Sequence, residues 1–200
     1  MVPHRGVVLF DMALESSERE LVEACQRGER DAFRALFEAY KDRVYSIALR
    51  FSGDQTVAMD LAQDTFLKLL SCIREFRGDS AFSTWVYRLV VNSCLDHKRG
   101  SWRLIPIADE LFAVLRAPVD NLTKVLEAEM RERVQAAVEK LSPDLRIVTV
   151  LRYTEGLSYD QIAEVLGCSA GTVASRLNRA HRALERRLSR FVNTQGARNV

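Results

Sequence analysis

The sequence predicts an all-α protein made of two helical domains: a four-helix N-terminal bundle and a C-terminal helix-turn-helix domain, joined by an extended linker. Three observations lead to this fold class. Almost every segment longer than a dozen residues shows the 3.6-residue apolar periodicity of an amphipathic helix. Glycine and proline are sparse, and Gly28, Gly53 and Gly78 fall where periodic segments end. Strands have no obvious place in such a pattern.

The N-terminal half divides into four predicted helices. They lie near residues 17–27, 29–52, 54–76 and 81–99, with breaks at Gly28, Gly53 and Gly78. The third helix is expected to bury one apolar side, which consists of Val57, Leu61, Phe66, Leu69, Leu70 and Ile73. We therefore predict one bundle over residues 16–100.

Three segments fall outside the helical pattern. Residues 1–15 lack a clear pattern and are expected to be a disordered extension, and either Met1 or Met12 is the true start. Pro106 and Pro118 interrupt residues 101–121, which we predict to be the linker between the domains. Residues 191–200 are expected to form a disordered tail.

Helical periodicity returns at residues 122–140 and marks the start of the second domain, predicted to span residues 122–190. Ser142 and Pro143 predict the start of the next helix, because proline is favoured at the first helical position. This domain carries the basic character of the chain.

The end of the second domain predicts a helix-turn-helix. Ser158 is expected to cap the first helix with Gln161 reaching back, while Leu157 and Ile162 form a hydrophobic staple. Gly167 ends that helix, and Ser169 is a candidate N-cap for the second one. The buried stripe of the second helix is then Val173, Leu177, Ala180 and Leu184.

The opposite face of that second helix is rich in arginine. It carries Arg176, Arg179, Arg182, Arg186, Arg187 and Arg190 against a single acid, Glu185. Arginine suits phosphate contacts and bidentate recognition of guanine edges. The N-terminal part of the helix is expected to meet bases through Gly171, Thr172, Ser175, Arg176 and Arg179, with the later arginines towards the backbone. A solvated, charged helix end is the alternative for an isolated arginine run.

Two further features stand in the N-terminal bundle. Asp60, Gln63 and Asp64 lie at i, i+3 and i+4, which places them on one exposed acidic face. That face is either simply solvated or a docking surface for a basic partner. Aromatic residues crowd the FRGDSAFSTW segment that follows, namely Phe76, Phe82, Trp85 and Tyr87. They are either core or a site that holds an unstacked base.

The composition excludes several classes of protein. The chain has 200 residues, 48% hydrophobic and 28% charged, with a net charge of +2, which excludes disorder throughout. No apolar run is long enough to span a bilayer, so we expect a cytoplasmic protein without direct membrane insertion. The four cysteines and three histidines are dispersed, and we interpret the cysteines as reduced core residues. We expect no metal, cofactor, catalytic residue or small-molecule substrate.

The motifs taken together resemble a known family. The segments DAFRALFEAYKDRVYSIALRF, DLAQDTFLKLL, FRGDSAFSTWVYRLVVNSCLDHKR and LSYDQIAEVLGCSAGTVASRLNRA look like blocks of the extracytoplasmic-function (ECF) sigma factors, a two-domain group of the sigma-70 family. The resemblance runs from about Glu18 to Leu188. It implies a non-enzymatic subunit that binds core RNA polymerase, through the β′ coiled coil and the β flap, and directs it to a promoter.

The resemblance also implies roles for individual residues. Asp60, Gln63 and Asp64 fall where the family docks on the β′ coiled coil. The residues that fall where the family opens and contacts the minus-ten element are Arg77, Gly78, Asp79, Ser80, Ala81, Trp85, Asn92, His97, Lys98 and Arg99. The residues implied to contact the minus-thirty-five duplex are Gly171, Thr172, Ser175, Arg176, Arg179 and Arg182. An anti-sigma factor is an expected partner.

Two other classes of function remain open at this point. A transcription regulator with an N-terminal sensing or dimerisation bundle explains the helix-turn-helix but leaves the FRGDSAFSTW loop without a role. An enzyme acting on DNA lacks a nucleophile or carboxylate metal site in this sequence. Binding to core RNA polymerase discriminates between these hypotheses.

Overall fold

The structure, a computed structural model, describes residues 17–97 and 125–196. Within those residues the chain is helical and has no strand. The helices are α1 (17–26), α2 (Arg30–Ser52), α3 (Gln55–Cys72), α4 (Phe82–His97), α5 (Val125–Glu139), α6 (Pro143–Tyr153), α7 (Tyr159–Leu166) and α8 (Ala170–Gly196). The predictions for residues 1–15, the 101–121 linker, Lys98 and Arg99 lie outside the described residues.

Local sequence signals set the helix ends in the N-terminal bundle. Gly53 ends α2 in the left-handed region, with φ of 76°, and its N–H donates to the Leu49 carbonyl at 2.8 Å. The Asp54 carboxylate then caps α3 by accepting from the Val57 N–H at 2.9 Å. A 3-10 turn over Ile73–Glu75 follows α3, so the α-helix ends four residues before the predicted position of 76.

The first core lies between α2, α3 and α4. Its largest fully buried side chains include Phe37, Phe51 and Phe66. Of the apolar side predicted for α3, the structure buries Leu61, Phe66, Leu69 and Ile73, while Val57 is half-buried. Leu70 was predicted wrongly, because its side chain is 42% exposed. It is one residue after Leu69, about 100° around the helix, and so points away from the core.

The C-terminal helices form the predicted helix-turn-helix around a second set of apolar residues. Pro143 occupies the first turn of α6, and Leu151, Ile162, Val173 and Leu177 are buried. The expectation of a disordered tail from residue 191 is wrong as far as Gly196, because α8 continues to that residue. The segment from 172 to 195 contains neither glycine nor proline to stop the helix earlier.

The two groups of helices pack against each other, which the sequence did not predict. Their apolar residues form one continuous core, in which α4 contacts α7, and α2 contacts α5 and α6. Arg146 on α6 is 3% exposed, and its guanidinium donates to the Phe51 carbonyl at the end of α2 at 2.8 Å. Gln135 on α5 likewise donates to the Arg50 carbonyl at 3.1 Å. Both contacts satisfy carbonyls that a helix end leaves unpaired.

The cysteines are unpaired, and they divide into two kinds. Cys25 and Cys94 are buried, and burial raises the pKa of the Cys94 thiol to about 12. Cys72 and Cys168 are only half-buried, so they are not core residues as predicted. Cys168 lies in the turn between α7 and α8 and packs, partly buried, against the core.

Candidate nucleic-acid interface

The polar face of α3 differs in detail from the predicted acidic patch. Asp60 is exposed, whereas Gln63 and Asp64 are half-buried. The Asp64 Oδ2 atom lies 2.8 Å from Lys68 Nζ and accepts from the Ser93 hydroxyl at 2.9 Å. Lys68 Nζ also donates to Ser93 Oγ at 3.1 Å. Asp64 therefore ties α3 to α4 in addition to contributing negative charge.

The exposed Leu70 belongs to the same face of α3. It follows Gln63 by seven residues, which is two helical turns, and so extends the polar face with an apolar contact. Sequence periodicity assigned Leu70 to the core. Whether Leu70 is exposed depends on tertiary packing, which the periodicity of the sequence does not reveal.

The loop between the 3-10 turn and α4 is held at its start. Gln26 on α1 donates its Nε2 hydrogens to the carbonyls of Ile73 at 3.0 Å and Phe76 at 2.9 Å. Gly78 adopts φ of 78°, a conformation that favours glycine. Ala81 directly precedes α4, and its carbonyl accepts the first helical hydrogen bond, from the Trp85 N–H, at 3.2 Å.

Three aromatic rings form a cluster beneath this loop. The ring centroids are 5.2 Å apart for Phe76 and Phe82, 5.3 Å for Phe76 and Trp85, and 5.5 Å for Phe82 and Trp85. Phe82 is buried, whereas Phe76 and Trp85 are half-buried and keep part of each ring accessible. Tyr87 is buried and donates to Glu155, so it does not belong to this cluster as predicted.

A cleft of about 680 Å³ lies between this loop and α1. One wall is the loop, with Arg77, Gly78, Ser80 and Ala81 of the predicted site. Asp79 is exposed on the same loop. The other wall is α1, which the sequence analysis did not assign to any site. No sequence signal pointed to α1, because its contact with the loop joins residues that lie about fifty positions apart.

The side of α4 that carries Trp85, Asn92 and His97 contains both accessible residues and a residue that contacts α7. Asn92 is exposed, and Trp85 and His97 are half-buried. Arg88 lies between Trp85 and Asn92 on this side, and its Nε and Nη2 atoms donate to the Glu164 carbonyl at 3.2 and 3.0 Å. The structure therefore brings the end of α7 onto this side of α4.

The turn of the helix-turn-helix has the predicted caps. Ser158 and Gln161 form a capping box, with the Gln161 N–H donating to Ser158 Oγ at 3.2 Å and the Ser158 N–H to Gln161 Oε1 at 2.8 Å. Gly167 ends α7 at φ of 60°. Ser169 Oγ then accepts from the Thr172 N–H at 3.1 Å. The predicted capping box at Ser158, the helix end at Gly167 and the N-cap at Ser169 are therefore confirmed.

Not every arginine predicted for the basic face of α8 is exposed. Gly171, Ser175, Arg179 and Arg182 are exposed, and their spacing of four, four and three residues keeps them on one face. Thr172 and Arg176 are half-buried beside that face. Arg187 is turned inward, since its guanidinium donates to the carbonyls of Ala183 at 3.2 Å and Lys140 at 3.1 Å.

Two kinds of site are not found in the described part of the chain. Across residues 17–97 and 125–196, no group of three or more histidine, cysteine, aspartate or glutamate side chains is arranged to hold a metal ion. No helix in those ranges is both long and apolar enough to cross a membrane.

Comparison with known proteins gives matches for both domains. A family model described as Sigma-70 region 2 matches residues 36–104, and one described as Sigma-70, region 4 matches residues 131–184. The RNA polymerase sigma-H factor of Pseudomonas aeruginosa is 36% identical over 187 residues, which cover 88% of this chain and 96% of that protein. The ECF RNA polymerase sigma-E factor of Escherichia coli is 33% identical over 192 residues, covering 90% and 99%.

Solved structures show the same architecture. A structure of CnrH in complex with the cytosolic domain of CnrY matches with a TM-score of 0.63 and 27% identity, over 86% of this chain and 96% of that chain. The sigma factor RpoE of Bartonella quintana, in a co-crystal with the anti-sigma factor NepR, matches with a TM-score of 0.58 and 23% identity, over 78% and 96%. At 23% identity, the match to the Bartonella quintana protein shows only that the two chains share a fold.

Proposed function

The chain belongs to the ECF group of the sigma-70 family, and from this membership we propose how its surfaces share the work of starting transcription. The protein is an initiation factor: it binds core RNA polymerase and directs promoter-specific transcription. Our division of roles is supported by one observation: the chain has two different surfaces suited to binding DNA. These are the arginine face of α8 and the loop with its aromatic cluster.

We assign duplex recognition at the minus-thirty-five element to α8. Arg179 and Arg182 lie on its exposed face with the small residues Gly171 and Ser175, which allow close approach to base edges. Thr172 and Arg176 flank that face and are placed for contacts at its margin. Arginine is suited to this role because its guanidinium binds both guanine acceptors at once.

We assign opening of the minus-ten element to the loop from Arg77 to Ala81, with Trp85, Asn92 and His97 on α4. Extrusion of a base costs a few kcal/mol, and a pocket beside accessible aromatic rings offsets that cost by stacking. The cleft beside the loop and the partly exposed Phe76 and Trp85 supply both elements. Lys98 and Arg99 directly follow His97 in the sequence, and we assign them to contacts with the same element.

Docking on the polymerase β′ coiled coil is assigned to the outer face of α3. Asp60 supplies an exposed charge, Gln63 and Asp64 extend the polar face, and Leu70 adds an exposed apolar contact. Mixed surfaces of this kind are typical of protein interfaces, which combine an apolar centre with a polar rim. The C-terminal domain is assigned to the β flap.

Membership in this group also guides three coarser proposals. RNA synthesis belongs to the core enzyme, so we propose that the chain contributes binding surfaces and no catalytic group. We propose that it acts in the cytoplasm, where polymerase and promoters meet. Two relatives of known structure were solved with the partners CnrY and NepR, and we propose that this chain also binds an anti-sigma factor.

Reconstitution with core RNA polymerase tests the proposal. The purified full-length chain is expected to co-elute with core enzyme, and run-off transcription with the pair maps its promoters. Arg179→Ala is expected to weaken minus-thirty-five binding by about 1–3 kcal/mol without loss of core binding. Arg34→Ala, an exposed arginine on α2, is the matched control.

Asp60→Arg tests the docking assignment. It is expected to weaken core binding while binding to minus-thirty-five duplex persists, because the change lies on α3. Asp42→Arg makes the same charge change on an exposed position of α2 and is expected to leave core affinity unchanged. If Asp60→Arg leaves core affinity unchanged, α3 is not the docking helix. If the unaltered chain neither co-elutes with core enzyme nor supports promoter-dependent transcription, the regulator hypothesis replaces the initiation factor.

A further inference from the structure

A buried hydroxyl of α4 lies directly behind the polar face of α3. Ser93 is 2% exposed, and its Oγ atom donates to Asp64 Oδ2 at 2.9 Å. The same Oγ atom accepts from Lys68 Nζ at 3.1 Å. From inside the bundle, Ser93 therefore contacts two polar residues of α3, and one of them, Asp64, belongs to the face that we assign to docking on core RNA polymerase.

The contacts of the Asp64 carboxylate all go to one of its two oxygens. Oδ2 lies 2.8 Å from Lys68 Nζ and accepts from the Ser93 hydroxyl. Within residues 17–97 and 125–196, no group donates to Oδ1. An ionised carboxylate has about two acceptor sites on each oxygen. The Asp64 side chain is 30% exposed, so Oδ1 is the oxygen that keeps its full capacity for a donor from a partner.

Of the two groups that hold Oδ2, Ser93 has the more rigid position. Lys68 is 39% exposed, and exposed ion pairs one helical turn apart hold their long side chains only weakly. Ser93 has a short side chain and lies where α3 and α4 pack together. Its hydroxyl is also neutral, so it orients the Asp64 carboxylate without cancelling the negative charge that a basic partner needs.

We propose that Ser93 is a positioning residue for docking: its hydroxyl holds Asp64 Oδ2 so that Oδ1 accepts a hydrogen bond from a basic side chain of core RNA polymerase. The inference rests on the proposed function, because it takes the outer face of α3 as the docking surface. A side chain that is ordered before association loses less conformational entropy when the complex forms. Ser93 thus raises the affinity through Asp64 and makes no contact with the polymerase itself.

A double-mutant cycle on the affinity of the full chain for core RNA polymerase tests this role. Ser93→Ala removes the hydroxyl and is expected to weaken binding about fivefold, within the range for ordering one side chain at an interface. Asp64→Ala is expected to weaken binding about tenfold, the magnitude of a hydrogen bond to a charged group. In the Asp64→Ala background, Ser93→Ala is expected to change the affinity by less than about 1.5-fold, because no carboxylate remains to be positioned.

A matched control separates positioning from a general loosening of the bundle. Thr65→Val removes another buried hydroxyl, which donates to the Leu61 carbonyl at 2.7 Å and does not contact Asp64. This variant is expected to keep the core affinity of the unaltered chain. Ser93→Ala is also expected to bind minus-thirty-five duplex normally, because α8 is unchanged. A purely structural role of Ser93 would lower core affinity whether or not Asp64 is present.

The outcomes distinguish this inference from the function on which it rests. If Asp64→Ala weakens core binding but Ser93→Ala does not, Ser93 does not position Asp64 and the docking assignment stands. The same conclusion follows if Ser93→Ala has equal effects in both backgrounds, or if Thr65→Val weakens core binding equally. If Asp64→Ala leaves core affinity unchanged, the positioning role and the docking role of Asp64 both fail. If the unaltered chain does not bind core RNA polymerase, the proposed function itself fails.

Discussion

Arg88 on α4 donates two hydrogen bonds, of 3.2 and 3.0 Å, to the backbone carbonyl of Glu164 at the end of α7. The same carbonyl also accepts from the Gly167 N–H at 3.4 Å, so Arg88 adds two shorter bonds to the cap at the end of α7. The Glu164 carboxylate is farther away, with Oε1 at 3.8 Å from Arg88 Nη2. The main interaction between the two domains at this point is therefore with the backbone, and it occupies an arginine on the side of α4 that carries Trp85 and Asn92.

Replacing Arg88 is expected to loosen the packing of the two domains. Arg88→Ala removes both hydrogen bonds to the Glu164 carbonyl, so we expect an increased radius of gyration in small-angle X-ray scattering of the isolated chain. Glu164→Ala is the matched control, because it removes only the partly exposed ion pair and keeps the carbonyl. Such pairs contribute at most about 1 kcal/mol, so this variant is expected to stay compact. Equal expansion of both variants contradicts the assignment to the backbone bonds.

A second contact between the domains is expected to depend on pH. The Tyr87 hydroxyl donates to Glu155 Oε2 at 3.2 Å, and burial raises the pKa of the Glu155 carboxyl above its ordinary value. A raised pKa in the folded state means that folding favours the protonated acid. The stability from this group is therefore fully present below the unfolded pKa of about 4.3 and is lost as the pH rises through the folded value.

Glu155→Gln tests this dependence, because the amide is uncharged and keeps an acceptor for Tyr87. The difference in free energy of unfolding between Glu155→Gln and the unaltered chain is expected to increase in favour of the variant as the pH rises from about 4 to 7. Urea denaturation at a series of pH values measures it. Glu132→Gln, at an exposed position of α5, is expected to show no such trend. A pH-independent difference for Glu155→Gln contradicts the prediction.

Arg146 is expected to contribute strongly to stability although it is charged. Its buried guanidinium donates to the carbonyls of Phe51 at 2.8 Å, Leu141 at 3.2 Å and Glu139, and it lies 5.3 Å from the centre of the Phe51 ring. Burial lowers the pKa of Arg146. Arg146→Leu leaves these carbonyls without their donor, and each unpaired buried acceptor costs about 1–3 kcal/mol.

Urea denaturation at neutral pH measures the cost of Arg146→Leu. Arg182→Ala, which removes an exposed arginine of the same domain, is expected to change the free energy of unfolding by no more than about 0.5 kcal/mol. If Arg146→Leu is no less stable than Arg182→Ala, water satisfies the carbonyls and Arg146 does not connect the domains energetically.

Gln26 is expected to affect the Arg77–Ala81 loop through its hydrogen bonds to the residues that precede it. Gln26→Leu removes both hydrogen bonds to the carbonyls of Ile73 and Phe76, which frees the start of the loop and the Phe76 ring. We expect the holoenzyme to bind a single-stranded minus-ten oligonucleotide about tenfold more weakly, the equivalent of one or two lost hydrogen bonds. Core binding and minus-thirty-five duplex binding are expected to persist. Gln55→Leu on the exposed first turn of α3 is the control, and an equal loss in that variant argues against a role specific to the loop.

The features predicted well from the sequence are those that depend on neighbours within a few residues. The capping box of Ser158 and Gln161, the Gly167 turn and the stripe of Val173, Leu177 and Ala180 each depend on successive positions three or four apart. Leu184, the last residue of the predicted stripe, is only half-buried. Capping and helical periodicity act over that range, so the amino-acid sequence alone is sufficient to predict these features. The resemblance of the motifs to ECF sigma factors was likewise confirmed by the comparisons.

The features that were missed or wrong depend on contacts between distant parts of the chain. Leu70 and Leu69 have the same chemistry, and only the packing of α3 decides that one is exposed and the other buried. In the sequence Asp64 resembles a solvent-exposed acid, but in the structure it accepts a hydrogen bond from Ser93 on α4. Arg146 resembles an ordinary surface arginine in the sequence, and nothing local reveals that the end of α2 covers it.

By itself the sequence determined the helices, their caps, the basic face of the helix-turn-helix and membership in the sigma-70 family. Tertiary structure alone decided that α1 forms a wall of the cleft beside the Arg77–Ala81 loop. It also decided that Arg88 on α4 is held by the end of α7. The physical reason is that amphipathic periodicity tells which side of a helix avoids water, but not which other helix covers that side. That choice depends on how all the apolar faces pack together at once.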